Sequence, residues 1–185
     1  MNKIDRNMDE ENFSGQRFED IEMTEKWVTA CDFTNTVIRN ADIYRSVLCS
    51  SDFSNAEIIK SSFCKKVNCD YAIFENAKIT DTKFIDVTFL ESNFRNAVFE
   101  NVLFSYSLFD ENTDFTGCVF KNVEFKNTTF EGIFNGATFY DITFTDVNFI
   151  DNTWIQPKIN IDTPESPEYL CNEEIRQWIL NGGAK

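Results

Sequence analysis

The chain has 185 residues and no histidine, and its 31 acidic residues outnumber its 17 basic residues, which gives a formal net charge of −14. The missing histidine excludes His-based metal sites and the Ser-His and Cys-His pairs of nucleophilic catalysis. The acidity argues against direct nucleic-acid binding, because phosphates would be repelled. Twenty phenylalanines exclude a linker-like or disordered chain, because they can supply a sizeable core.

Residues 1–12 form a polar segment that precedes any regular pattern. They contain no apolar run that could act as a signal peptide, and no later stretch approaches the roughly 18 apolar residues that span a bilayer. We therefore expect a cytoplasmic protein, without a membrane segment, in which residues 1–12 cap one end of the domain that follows.

From residue 13 to residue 154 an anchor, in most cases a large apolar side chain, recurs at every fifth position, and all twenty phenylalanines belong to this series. The register gains one residue before Cys69 and before Phe115, and it loses one before Phe134. Five residues turn about 500° on an α-helix, and odd spacings alternate faces on a continuous strand, so neither element fits. The series indicates short extended pieces separated by bends, which lets the chain coil with every anchor inside.

The positions around each anchor support this interpretation. The residue two before the anchor lies on the same side of the extended piece and is nearly always small from Cys31 onward, as at Ala41 and Ser51, whereas the first coil is irregular at this position. A narrow interior beside large rings requires such side chains. The residue two after the anchor is often Asn, Asp or Gly, as at Asn35 and Gly117, which tolerate turns.

Triplets such as Cys31-Asp32-Phe33, Ser51-Asp52-Phe53 and Val147-Asn148-Phe149 resemble the pentapeptide-repeat family. The family pattern is a small residue, then Asp or Asn, then Leu or Phe, followed by two variable residues. The resemblance covers about residues 13–154 and implies an all-β fold, a right-handed quadrilateral β-helix with four pentapeptides per coil. About seven coils would give a rod roughly 34 Å long.

With four sides per coil, every fourth anchor stacks in one column, and we number the sides by their columns. The first column contains Phe13, Phe33, Phe53, Phe74, Phe94, Phe115, Phe134 and Trp154. The second contains Phe18, Ile38, Ile58, Ile79, Phe99, Phe120 and Phe139. The third contains Met23, Ile43, Phe63, Phe84, Phe104, Phe125 and Phe144. The fourth contains Val28, Leu48, Cys69, Phe89, Phe109, Phe130 and Phe149.

This arrangement predicts two candidate partner surfaces. The first, which we call the acidic strip, covers the outward positions of the first and fourth sides and the corner between them, with Arg95 as its one base. The acidic strip contains Asp32, Asp52, Asp70, Glu75, Glu91, Asp110, Glu111, Asp114, Glu131 and Asp151. The second surface, the apolar patch of the second side, contains Val37, Ile59, Val98, Val119 and Tyr140.

The sequence indicates a non-enzymatic protein that acts as an acidic protein-interaction rod, with no cofactor and no metal. It contains no glycine-rich phosphate loop and no nucleophile motif. The resemblance adds an alternative, because quinolone-resistance and topoisomerase-modulating members of the family are similar to a short DNA duplex in size and charge. A type II topoisomerase, DNA gyrase or topoisomerase IV, is therefore the alternative partner, and otherwise the protein partner is not identified.

The six cysteines have irregular spacings and form no CxxC motif, which argues against a disulfide framework or a zinc site. Cys31 and Cys118 occupy inward small positions, and Cys69 replaces an anchor. Cys49 and Cys64 follow anchors and are expected to face outward.

Residues 155–185 follow the repeats and begin with a proline-punctuated linker. Ser166 can cap a short C-terminal α-helix that starts at Pro167. Its apolar stripe contains Leu170, Ile175, Trp178 and Ile179. Two roles stay open for this stripe: it covers the last coil of a monomer, or it forms the contact of a homodimer.

Overall fold

The computed structural model describes residues 2–134 and 136–149, together with the isolated residues 177 and 181. Within this part the chain is a parallel β-solenoid of about seven turns, which confirms the predicted fold class. The predicted C-terminal helix with its stripe of Leu170, Ile175, Trp178 and Ile179 lies outside the described residues, as do Asp151 and Trp154. The division of the chain at residues 12/13 and 154/155 stays a prediction.

Short strands make up the solenoid, and none is longer than 8 residues in the described part. They are β1 Asn2–Ile4, β2 Met8–Asp9, β3 Arg17–Glu19, β4 Ile21–Thr24, β5 Val28–Thr29, β6 Val37–Arg39, β7 Asp42–Tyr44, β8 Glu57–Ile59, β9 Ser62–Asn68, β10 Lys78–Thr80, β11 Lys83–Thr88, β12 Val98–Ser105, β13 Val119–Lys126, β14 Thr129–Phe130, β15 Thr138–Tyr140, β16 Thr143–Thr145 and β17 Asn148–Phe149.

Every strand pairs in parallel with a strand of the next coil, about twenty residues away. Phe18 pairs with Ile38, Ile79 with Phe99, and Phe120 with Phe139, so each anchor lies beside the anchor of its own column. Each pentapeptide therefore makes its backbone hydrogen bonds to the coils above and below it, which is why a period of five can build a sheet-like wall.

The first column shows the stacking most clearly. Ring centroids are 5.0 Å apart between Phe53 and Phe74, 4.8 Å between Phe74 and Phe94, and 5.1 Å between Phe94 and Phe115. These rings are nearly parallel, at interplanar angles of 5° to 8°. All twelve of the largest fully buried side chains are phenylalanines. The rod therefore has an aromatic core along its axis, as the repeat predicts.

The small inward residues connect successive coils. The Ser51 hydroxyl donates a hydrogen bond to the Val28 carbonyl oxygen at 3.0 Å and accepts one from the Cys31 amide at 3.1 Å. Ser92 donates to the Cys69 carbonyl oxygen at 2.8 Å in the same way. A serine here fills the narrow space beside the rings and satisfies backbone groups that would otherwise be buried without a partner.

The bends have one backbone conformation in common. The residue two after the anchor has a positive φ at almost every bend, for example 58° at Asn35, 59° at Asn55 and 70° at Gly117. Asn, Asp and Gly reach this left-handed region at little cost, which explains their frequency at this position. The extra residue before Cys69 is absorbed by two consecutive left-handed residues, Lys65 and Lys66, at 63° and 67°.

The shortened step before Phe134 depends on a glycine. Gly132 has a φ of 141°, and a Cβ atom at this position would lie 2.8 Å from the Thr113 carbonyl oxygen and 3.1 Å from the Phe115 ring. Real Cβ atoms do not approach a backbone oxygen this closely, so only glycine lets the chain pass between these coils.

Residues 2–12 of the polar segment take the form of a half coil. Strand β1 pairs with β4, so that Ile4 lies beside Met23, and β2 pairs with β5, so that Met8 lies beside Val28. Residues 2–9 thus extend the third and fourth sides by one layer. Ile4 and Met8 are the apolar side chains of this layer. Because they are four residues apart and not five, the repeat did not predict that they belong to the coil.

Candidate interaction surface

The four sides of the rod are of two kinds. On the first and fourth sides, the amide three residues after the anchor donates to the carbonyl oxygen of the anchor, as from Ala56 to Phe53 at 3.0 Å and from Ala72 to Cys69 at 3.1 Å. With a left-handed residue in its third place, this is a type II turn. The second and third sides instead contain most of the extended strands. The acidic strip lies on the two turn sides, and the apolar patch lies on a strand side.

Carboxylates of the first side support the turns. The Asp32 carboxylate accepts a hydrogen bond from the Thr34 amide at 2.9 Å, and the Asp52 carboxylate accepts one from the Ser54 amide at 2.8 Å. Asp114 does the same for the Thr116 amide. Side chains of Asp and Asn are suited to this local bond, so these acids have a structural role in addition to their charge.

The fourth side holds two further carboxylates on alternate coils. The Asp70 carboxylate accepts from the Leu90 amide at 3.0 Å, and the Asp110 carboxylate accepts from the Glu91 amide at 2.9 Å. Each of these acids thus receives a backbone N–H from the next or previous coil. Their carboxylate oxygens are held in place before any partner arrives.

The corner between the fourth and first sides carries Glu91, Glu111 and an exposed tyrosine. The Tyr71 hydroxyl donates to the Glu91 carboxylate at 3.2 Å, and this hydrogen bond together with the negative charge raises the pKa of Tyr71. Asp70 and Asp110 act in the same direction from the fourth side. The electrostatic potential at this corner is therefore negative.

The structure brings together most, but not all, of the predicted acidic strip. Asp32 lies directly beside Asp52 on the next coil. Glu91 lies on the coil between the coil of Asp70 and the coil of Asp110. The next first-side positions after Asp52 are Ile73 and Asn93, which interrupt the row of acids. The first-side acids therefore form two groups, Asp32 with Asp52 and Asp114 further along, while Asp70, Glu91 and Asp110 lie near one another on the fourth side and its corner.

Arg95 partly neutralises the far end of the first side, because its guanidinium lies 3.3 Å from the Asp114 carboxylate. Glu111 and Glu131 are half-buried in the described part of the fourth side and its corner. Asp151 lies outside the described residues.

The apolar patch of the second side is not continuous. Val98 lies directly beside Val119, and they form its only adjacent pair in the described residues. Val37 is followed along the same row by Glu57 and then Lys78. Ile59 lies between Arg39 and Thr80, and Tyr140 lies beside Lys121. This side therefore presents a mixed surface.

Four exposed apolar side chains were missed by the sequence reasoning: Trp27, Tyr71, Tyr106 and Leu108. Trp27 is 66% exposed and Tyr71 is 54% exposed. The signal was available, because all four stand beside an anchor or at a bend, where the repeat directs side chains outward.

Cys64 follows an anchor and does not belong to the hydrophobic core cluster, in agreement with its predicted outward direction. It is nevertheless only 9% exposed, and Tyr44 and Ile85 flank it on the neighbouring coils. Cys49 is half-buried, and its thiol contacts the Asn68 side chain at 2.7 Å. Burial raises the pKa of the Cys69 and Cys118 thiols, which disfavours the reactive thiolate.

No group of three or more Cys, Asp or Glu side chains in the described residues is placed to hold a metal ion. No helix in that part of the chain is long and apolar enough to cross a bilayer.

Comparison with known proteins agrees with this geometry. A family profile described as "Pentapeptide repeats (9 copies)" matches residues 74–119 and 115–155. The same five-residue register continues through the described coils before residue 74. Residues 74–155 of this chain belong to the pentapeptide-repeat family, as the resemblance of the repeats predicts.

Several solved structures are similar to this chain. Rfr23, a pentapeptide-repeat protein from the cyanobacterium Cyanothece 51142, is 15% identical over 60% of this chain and 86% of its own, with a TM-score of 0.47. QnrB1, a plasmid-mediated fluoroquinolone resistance protein, is 14% identical over 77% of this chain and 88% of its own, with a TM-score of 0.41.

HetL, a pentapeptide-repeat protein involved in heterocyst differentiation regulation in Nostoc sp. strain PCC 7120, is 13% identical to this chain. The similarity covers 77% of this chain and 89% of HetL, with a TM-score of 0.26. A search of curated protein sequences found no significant match.

Proposed function

We propose that this protein is a non-enzymatic interaction rod whose acidic strip binds a basic surface of a protein partner. The observation that carries the proposal is the set of carboxylates that backbone amides hold in place on the turn sides, at Asp32, Asp52, Asp70, Asp110 and Asp114. Preorganised charges lose little entropy on binding, and complementary charge raises both association rate and specificity.

The interior supports the same proposal by leaving little room for a substrate. Phe74, Phe89 and Phe94 are fully buried and pack at centroid distances of 4.8 to 6.2 Å. The space between such rings is filled by small residues such as Ala72 and Ser92. A partner of this rod therefore has to bind on its outer surface.

The test is a capture experiment with the full chain at physiological salt. Replacement of Glu91 and Glu111 by Lys reverses charge in the strip without removing the aspartates that support turns. The matched control replaces Glu57 and Glu100 by Lys on the second side. We expect a specific partner to be lost with the strip variant and retained with the control. Equal retention by both variants would contradict the proposal.

A type II topoisomerase remains the alternative partner, and the strip's charge is the observation that favours it. The described strip has nine acids and one base over about five coil steps, roughly 24 Å at the spacing of paired strands. This gives about one net charge per 3 Å, against one per 1.7 Å of duplex DNA. A supercoiling assay with and without a fluoroquinolone discriminates the alternatives, because an unchanged reaction at micromolar protein removes the topoisomerase.

A further inference from the structure

A group of cations stands on the third side of the rod, opposite the first. Lys60, Lys65 and Lys66 occupy the corners of one coil, and no acidic residue occurs between Glu57 and Asp70. Arg45 lies on the preceding coil, where its amide donates to the Cys64 carbonyl oxygen, and Lys83 lies beside Ser62 on the following coil. We call Arg45, Lys60, Lys65, Lys66 and Lys83 the basic patch.

The inserted residue gives this patch its density of charge. The step from Phe63 to Cys69 has one residue more than the repeat, and both Lys65 and Lys66 adopt the left-handed conformation and are exposed. The Lys65 ammonium also lies 5.4 Å from the centroid of the Tyr44 ring. An uninterrupted repeat would have only one residue at this corner, so the insertion places a second charge there.

Acidic neighbours only partly compensate the patch. Arg45 is paired with Glu25 at 3.1 Å, and Asp42 lies beside Ser62 on the preceding coil. Asp81 and Asp86 stand at the corners of the following coil. No ion pair within 4.0 Å is found for Lys60, Lys65, Lys66 or Lys83 among the described residues. The patch thus stays net positive on a chain whose net charge is −14.

A second copy of the chain supplies a surface of opposite charge with the same coil repeat. In the acidic strip, Asp70 and Asp110 lie two coils apart. In the basic patch, Arg45, Lys65 and Lys83 lie on three successive coils, with Lys83 on the strand beside Ser62 and not at the corner of the other two. Both surfaces have the repeat of the same backbone, about 4.8 Å per coil, so two rods that lie side by side can bring opposite charges together over about three coils.

We propose that the basic patch of one copy binds the acidic strip of a second copy, so that rods associate laterally. Because two different surfaces meet, this contact is heterologous, and each bound copy leaves one further surface free. This proposal goes beyond the proposed function, because it does not depend on which other protein binds the acidic strip.

Salt should have two opposing effects on this association. At very low ionic strength, the net charge of −14 makes whole rods repel one another. At 0.15 M salt the Debye length is about 8 Å, so repulsion between distant sides is screened while charges in direct contact still attract. At 1 M salt the Debye length falls to about 3 Å, and the contact itself is weakened. We therefore expect association to be strongest at intermediate salt.

Sedimentation velocity of the full chain from about 10 µM to 1 mM tests the proposal. We expect the mean mass of the wild type to rise with concentration at 0.15 M salt. Lys65→Glu with Lys66→Glu should raise the dissociation constant at least tenfold. The matched control, Lys78→Glu with Lys121→Glu, changes the total charge equally on the second side and should leave association unchanged. Thermal melts confirm that both variants fold.

A charge-swap mixture gives the sharpest outcome. The variant with Lys65→Glu and Lys66→Glu is mixed with the variant that has Glu91→Lys and Glu111→Lys. We expect each variant alone to stay monomeric and the mixture to form a complex that stops at one copy of each. A monomeric wild type, equal weakening by the control, or no complex in the mixture would overturn the proposal. So would a dimer that persists in both charge variants.

The proposed function and this inference fail separately. If the variant with Lys65→Glu and Lys66→Glu no longer associates laterally but still captures a partner, the proposed function is unaffected. If the rods associate laterally but the acidic strip captures no other protein, the result supports lateral association and not the proposed function.

Discussion

The early coils and the middle coils have the same backbone but different cores. Met23, Ile38, Ile43 and Leu48 are anchors of the early coils, whereas the anchors from Phe84 to Phe125 are all phenylalanines. Both regions make the same parallel pairs and the same left-handed bends. The comparison indicates that the bends and the backbone hydrogen bonds between coils determine the path of the chain, while the anchors fill the interior.

Filling is less complete in the early coils. A cavity of about 20 Å³ lies there, and its lining is apolar throughout: Ile4, Phe18, Ile21, Met23, Phe33, Ile38, Ile43, Leu48 and Phe53. This volume is near that of one water molecule, but a site without polar partners stays dry. In the middle coils, the closest rings instead stack at about 5 Å and their neighbours meet edge to face.

The largest expected effect is loss of a ring from the middle. Phe94 is fully buried between Phe74 and Phe115, so Phe94→Ala should lower the free energy of unfolding by about 3–5 kcal/mol. Ile43→Ala, beside the cavity, should cost about 2–4 kcal/mol, because fewer contacts are lost. Urea unfolding measures both. A cost for Phe94→Ala below about 1 kcal/mol would contradict its place in the core.

Enlarging an anchor should have opposite results beside the cavity and away from it. Ile43→Phe adds a ring beside Phe63 and toward the cavity, and we expect a gain of about 1 kcal/mol in stability. Ile79 is fully buried and does not line the cavity, so Ile79→Phe should cost about 1–3 kcal/mol through overpacking. Urea unfolding of the two variants checks the signs. Destabilisation of both by equal amounts would mean that the cavity cannot accept a ring.

The hydroxyl links should matter equally in both regions. Ser51→Ala in the early coils and Ser92→Ala in the middle should each cost about 1–2 kcal/mol, because each leaves a buried carbonyl oxygen without its hydroxyl donor. Thermal or urea unfolding provides the measurement. A cost confined to one of the two serines would show that the links depend on the surrounding anchors.

The smallest effect concerns thiol access rather than stability. Burial raises the pKa of both Cys31 and Cys118, but Cys31 lies near the N-terminal end of the rod and Cys118 lies among the rings of the middle coils. In a chain whose other cysteines are serines, a disulfide reagent should label Cys31 first. Both rates should rise with pH, because the thiolate reacts. Equal rates would mean that the end of the rod opens no more readily than its middle.

The candidate surface was only partly predictable. The repeat correctly directs Asp32, Asp52 and Asp70 outward, where they are half-buried. It did not show that these carboxylates accept backbone amides. A signal existed, since Asp or Asn precedes most anchors of the first side, but the type of turn became visible only with the hydrogen bonds in place.

Period alone determined the coil, the inward columns and the left-handed bends, because each is a local consequence of five-residue geometry repeated along the chain. Contacts between coils decided the rest. These contacts place Ile73 and Asn93 between the acids of the first side. They place Tyr44 and Ile85 beside Cys64, and Arg45 and Lys83 on the coils next to the lysines at the corners of one coil. Such neighbours are about twenty residues apart, and one-residue changes in register alter which of them meet, so only the folded stack defines them.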